Sequence, residues 1–235
     1  MKQAVIRLDE HRGRAPSPAA GPRVDMYTLV HKGIRAFMGS TLAAVGRMDA
    51  SDPQEIAAAL AEVRALAMFL RAHLHHENQF VHPALEARRP GSARRTAGDH
   101  VEHERALERL EALVLAVESA DDASRPGAAL ALYRELALFV AENLEHMHVE
   151  ETENNAGLWA AYTDEELEKL HQGMLASIKP EIMTLGLHWM AQAMTPAERA
   201  GLFSHLPPQL LEVARAALSE RDWAKLTAAI GPVSQ

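Results

Sequence analysis

His73-Leu74-His75-His76-Glu77-Asn78-Gln79-Phe80-Val81-His82-Pro83 sets four histidines and a glutamate within ten residues, at the end of a long apolar-periodic run. A second stretch, His146-Met147-His148-Val149-Glu150-Glu151-Thr152, echoes it. Each holds a histidine followed four residues on by a glutamate: His73 with Glu77, His146 with Glu150. On a helix that spacing puts both side chains on one face, about one turn apart. Imidazole with carboxylate suits iron, zinc or manganese, and two such pairs suit a two-metal centre.

Both stretches lie on helical patterns. Ala59, Val63, Leu66, Leu70, His73, Glu77, Phe80 and Ala84 recur in steps of three and four, so the spacing predicts a helix from about residue 53 to the high eighties. His73 and Glu77 there replace apolar residues on a core-facing line. Ser51-Asp52-Pro53-Gln54-Glu55 starts it with a capping residue, a first-turn proline and acids at the positive end. Pro83 is expected to kink it, and Arg88-Arg89-Pro90-Gly91-Ser92 to break it. Before it, Tyr27, His31, Ile34, Met38, Thr41, Val45 and Met48 form one buried stripe that includes His31. After it, His100, His103, Leu107, Leu110, Val114 and Val117 mark a helix over about 93–119, and Leu132, Leu136, Phe139, Asn143, His146 and Glu150 mark one over about 128–156. Strand-type alternation is absent. The expected fold is all-α: an up-down-up-down four-helix bundle over residues 24–158, with a C-terminal helical extension over 159–235. Helices there are expected from Thr163, from Glu181, from the Thr195 cap, and around Trp223. Met174, Met183, Met190 and Met194 read as core filler. Residues 1–23, with Arg7, Arg12, Arg14 and Arg23 among prolines, read as a disordered tail, with a basic docking arm as the alternative.

Composition removes several classes of function. A net charge of −8 argues against a nucleic-acid partner, which needs a basic face. Zero cysteines exclude disulfides, thiolate nucleophiles and cysteine-ligated zinc or iron–sulfur sites, so any metal is held by nitrogen and oxygen. Hydrophobic residues at 48% with aromatics at 5% favour a helical core. Residues 1–10 carry no apolar leader and no window approaches a membrane span; the expectation is a soluble cytoplasmic protein with no membrane partner.

Each polar residue on a buried stripe also has a plainer reading. A lone His31 is more often a hydrogen-bonded core residue, and either His-x-x-x-Glu pair alone could be a helix-surface ion pair. Together they read differently. All four stripes carry a histidine and two carry a carboxylate, and burying so many polar groups separately would cost several kcal/mol each. Gathering them around metal ions removes that cost.

The set of one histidine on the first helix, His-x-x-x-Glu on the second, histidine on the third and His-x-x-x-Glu on the fourth resembles the hemerythrin-like (HHE) cation-binding domains. Tyr27-Thr28-Leu29-Val30-His31-Lys32, Glu77 followed six residues on by Pro83, and His146-Met147 before Glu150-Glu151 carry the likeness over about 24–156. The resemblance implies two non-haem iron ions joined by an oxo or hydroxo bridge. His31, His73, His146 and one or both of His100 and His103 would be terminal ligands, and Glu77 and Glu150 bridges. It also implies a small partner: dioxygen, bound as peroxide in relatives, or nitric oxide or peroxide. Two features depart from the oxygen carriers of this family. The third-helix histidines are spaced by three rather than four, with Asp99 four before His103. Where the carriers place an aspartate five after the fourth-helix histidine, this chain has Glu151, preceded by Glu150. Glu151 sits about 100° round from the seam and is expected to be dispensable for metal. His75 and His148 are expected in solvent, and His76 to hydrogen-bond a ligand or bound water. Tyr27, one turn before His31, reads as packing or as a phenol near the site.

Three functions compete. The first is a sensing, storage or redox-response module that binds a small ligand at the di-iron centre. The second is an enzyme in which the same centre activates dioxygen or decomposes peroxide. The third is a metal-free helical interaction protein. The first is preferred, because neither a second cofactor motif nor a phosphate-binding loop is visible.

Overall fold

The computed structural model describes residues 23–231; the readings made for the first 22 residues lie outside it. Among the described residues there are helices and no strands. Asp25 starts α1 (Thr28–Arg47) by accepting from the Tyr27 and Thr28 backbone N–H groups at 2.9 Å each. Asp52 caps α2 (Pro53–His76) in the same way, with Pro53 at its first position as expected. The break at residues 89–93 needs Gly91, whose φ of 87° is costly for any residue with a Cβ. Glu86 ties that turn down by accepting from the Gly91 and Ala93 N–H groups. Then α4 (Arg94–Ser119) and α5 (Arg125–Val149) complete the bundle. α1 packs on α2 and α5, and α4 on α2 and α5, so the four close into a ring of sequence-adjacent, up-down-up-down neighbours. Ile34, Met38, Leu66, Leu70, Leu107, Leu110, Leu136 and Phe139 meet in one core. Each such side chain contributes ~1.5–3 kcal/mol on full burial.

Pro83 does not simply kink the second helix. A π-helical turn spans Glu77–Val81, and the chain resumes as α3 (His82–Arg88). Proline has no N–H to give to the carbonyl four residues back; the wider turn absorbs this, with the His82 N–H donating to the Glu77 carbonyl. A second π turn, Glu150–Asn154, interrupts the fourth helix before α6 (Asn155–Ala161), and the Asn155 N–H donates to the Glu150 carbonyl. Both turns begin at the glutamates of the two sequence pairs. Such insertions occur frequently at functional sites.

Beyond α6 come α7 (Asp164–Ser177), α8 (Pro180–Ala193), α9 (Pro196–Phe203), α10 (Pro208–Ala217) and α11 (Glu220–Ile230). Thr163 with Glu166, and Thr195 with Glu198, form reciprocal capping boxes. α8 lies along α1. The fit is close: a Cβ on Gly33 would lie 2.9 Å from Met190 Cγ and 3.1 Å from the Met190 backbone nitrogen, and one on Gly186 would lie 3.0 Å from the Phe69 ring. Met194 is buried, and Met174 and Met183 pack against apolar clusters, in keeping with their reading as core. Lys32 pairs with Glu198 at 2.6 Å, and Arg88 with Glu166 at 2.6 Å, joining these helices to the bundle. Arg23, assigned above to the tail, donates to Asp164 at 2.7 Å and to the Tyr162 carbonyl at 2.9 Å.

Candidate metal centre

The four bundle helices deliver their polar seam residues to one buried place. His31 from α1, His73 from α2 and the carboxylates Glu77 and Glu150 form one group whose ligand atoms lie within 4.8 Å of one another; Glu77, His100 from α4, His146 from α5 and Glu150 form a second. The two carboxylates belong to both groups. His73 Nε2 lies 3.2 Å from Glu77 Oε1, and His146 Nε2 lies 3.2 Å from Glu150 Oε2, one helical turn apart as their spacing requires. Across the bundle, His31 Nε2 is 3.5 Å from Glu150 and 3.8 Å from Glu77, while His100 Nε2 is 3.4 Å from Glu77 and 3.6 Å from Glu150.

Six of these polar atoms have nowhere else to go. Both oxygens of Glu77, both of Glu150, and the Nε2 atoms of His31 and His73 are buried without a hydrogen-bond partner. Unsatisfied buried groups are costly, and here they converge on a common centre. Nitrogen and oxygen donors in this number fit a divalent first-row transition metal, and two donor groups sharing two carboxylates fit a pair of ions.

The outward nitrogens are held from behind. His31 Nδ1 donates to Glu151 at 3.1 Å, and Arg35 grips the same carboxylate at 2.6 Å. His100 Nδ1 donates to the Asn78 amide oxygen at 2.8 Å, and His146 Nδ1 to Asp99 at 3.2 Å. With Nδ1 occupied by an acceptor, each ring in its neutral form turns Nε2 inward, those of His100 and His146 lying 3.1 Å apart, as the nitrogen that a metal needs. Sequence reasoning missed Glu151 and Asn78 in these roles and noted Asp99 only for its spacing. Asp99 sits on a neighbouring helix and Asn78 and Glu151 sit within the π turns, where helix periodicity carries no signal.

Electrostatics follow from the same packing. Burial opposes the charged form of His31, but the hydrogen bond to Glu151 and the two buried carboxylates outweigh it and raise the imidazole to about 9; His100 rises to about 9 likewise through Glu150 and Glu77. Burial lowers His73 to about 4. Glu77 is held well below the carboxylate range: burial works against this, and the surrounding imidazoles, His73 foremost, overcome it. Glu151 drops to about 2 because its bonds to His31 and Arg35 outweigh burial.

His103 is buried beside the centre but enters neither group of clustered atoms. Its ring meets that of His146 edge-on at 4.8 Å and Phe139 at 5.9 Å, and its Nδ1 has no partner. Burial and the neighbouring His146 lower it to about 4. His75 and His148 are exposed, as expected. His76 is half-buried; it lines the same cavity as His73 and Glu77, opposite α7 and α8, and makes no hydrogen bond to a clustered ligand. His82, for which the sequence suggested no role, is buried, stacks on His100 at 4.7 Å and meets Thr96 Oγ1 through Nε2 at 3.2 Å. In an unbroken α-helix, residue 82 would point about 140° away from Glu77. The π turn brings it back over the glutamate. Tyr27 is fully buried 5.4 Å from the His31 ring, and its hydroxyl accepts from Asn154 at 3.4 Å.

A ring of four helices that collects imidazoles and shared carboxylates at its buried centre defines a class of helical bundle whose core could hold metal ions. The chain matches the family model of the hemerythrin HHE cation-binding domain over residues 23–154, and it belongs to that family. Domains of this family bind metal ions, typically iron, and small ligands. No curated protein matches the chain. No helix among the described residues is long and apolar enough to cross a membrane.

Proposed function

We propose that the bundle, residues 24–158, holds two non-haem iron ions and binds dioxygen or another small ligand such as nitric oxide or peroxide, for sensing, storage or redox response, with residues 159–235 as an appended helical extension. The observation that carries this reading is that Glu77 and Glu150 are common to both groups of ligand atoms. His31 and His73 then serve one ion, His100 and His146 the other, and the two glutamates bridge them. His103, against His146 with a free nitrogen, is the further imidazole on the second side. The iron pair supplies reversible electron donation to a small ligand. The protein keeps the rings oriented through Glu151, Asn78 and Asp99 and keeps bulk water out. A shell of imidazoles with two carboxylates carries less negative charge than a carboxylate-rich one, which favours the reduced pair and disfavours strongly oxidising, bond-breaking chemistry.

The test is elemental analysis with an optical spectrum of protein produced with adequate iron, first reduced and then exposed to air. About two irons per chain and an oxygen-dependent charge-transfer band that removal of oxygen reverses are expected. One zinc and no iron would refute the reading. Rapid multiple turnover of peroxide, abolished by His73→Ala, would replace it with an enzymatic one.

A further inference from the structure

A cavity of about 200 Å³ lies between the bundle and the helices that follow it. One wall comes from the start of α1 and from α2 with its π turn, including Phe69, His73 and Glu77; the other comes from α7, α8 and the end of α9. Met26, Met174, Met183 and Met190 line it. Its lining is mainly apolar, and two of the clustered residues, His73 and Glu77, form part of its surface. The cavity is not loose packing: α8 meets the α1 backbone at Gly33, and its own Gly186 packs against the Phe69 ring of α2.

Among the polar groups around it, Asp25 is committed to the Tyr27 and Thr28 N–H groups and to Asn155. Burial lowers the His171 imidazole. No lysine or arginine lines the wall, so an anion meets no counter-charge there; burial lowers the half-buried His76 imidazole, and Asp25 is the one carboxylate besides Glu77. Desolvating an anionic ligand here would be uncompensated. Thioethers and a phenyl ring favour an aromatic guest through sulfur–ring contacts. A dry apolar cavity of roughly 150 Å³ takes benzene, so this volume accommodates one ring with a short substituent.

We infer that the chamber between α1, α2, α7 and α8 is a binding site for a small neutral aromatic molecule, seated against His73 and Glu77. Binding in the chamber is independent of metal; its placement beside the ion held by His31 and His73 rests on the di-iron reading. The methionines are the walls of a binding site as well as packing.

The full chain, labelled with ¹³C at its methionine methyl groups, is titrated with toluene, with benzoate as the charged counterpart. The Met174, Met183 and Met190 signals should shift saturably with a submillimolar Kd. Met48, at the opposite end of α1 and outside the chamber, should not move, and benzoate should have no effect. Leu175→Trp, which fills the chamber from α7, should weaken toluene at least tenfold. If that variant does not fold, the methyl pattern in the unaltered chain decides. No saturable shift, an equal shift at Met48, or equal binding of benzoate overturns the assignment. In iron-loaded protein, toluene should also move the iron absorption bands; saturated methyl shifts with unmoved bands would overturn the placement against His73. Toluene binding in a chain that takes up no iron would leave the chamber standing and refute the di-iron reading alone.

Discussion

Glu151→Ala tests how the centre is supported, because periodicity and tertiary structure disagree about it. Seam geometry places residue 151 outside the site and makes it dispensable. In the structure its carboxylate takes the Nδ1–H of His31 at 3.1 Å and is itself fixed by Arg35 at 2.6 Å. The substitution leaves every clustered ligand in place but frees the His31 ring, whose side chain is otherwise fully buried. Removing such a supporting acceptor costs ~10–100-fold in metal affinity, or about 1.4–2.7 kcal/mol. On the two-ion proposal, the loss should fall on the position formed by His31 and His73, while that formed by His100 and His146 stays filled. Competition with a chelator of known affinity, followed by iron counting, reads both. Glu151→Gln, which keeps an acceptor oxygen, should recover part of the loss. Unchanged affinity in Glu151→Ala would refute the argument from orientation. Loss of both irons would instead make Glu151 a ligand.

Other outcomes follow from the same geometry. Glu77→Ala and Glu150→Ala should each empty both positions, since each carboxylate belongs to both groups; retention of one full-occupancy iron in either variant would refute sharing. Iron loading at about a thousand times Kd should add ~4 kcal/mol to stability and raise Tm by roughly 8–16 °C for a chain of this size; an unchanged Tm would mean that the buried donors do not bind metal. Glu166, paired with Arg88, is lowered to about 2 against an ordinary 4.5. Its contribution is therefore present above pH 4.5 and is lost as pH falls towards 2, and Glu166→Gln should flatten stability across that window in acid-unfolding curves. Gly33→Val should push α8 off α1, because the new side chain meets the Met190 backbone; urea unfolding should show a loss of ~1–3 kcal/mol, and no loss would mean that α8 does not pack there.

The sequence by itself determined the helices and most of the centre. Stripes in steps of three and four, with prolines and capping residues between them, are local properties of the chain, and they place Leu66, Leu107 and Leu136 in the core where they are found. His31, His73, Glu77, His100, His146 and Glu150 were legible because each replaces an apolar residue on such a stripe, and they do cluster. Only the tertiary structure decided what lies off the stripe. Glu151, Asn78 and Asp99 support rings carried by other helices, and those pairings depend on how the helices rotate about their axes. His82 is brought inward by a π turn, an added residue that moves everything after it by about 100°. The apolar chamber beside His73 exists because Gly33 and Gly186 let α8 come close, a contact between segments more than a hundred residues apart that no local pattern encodes.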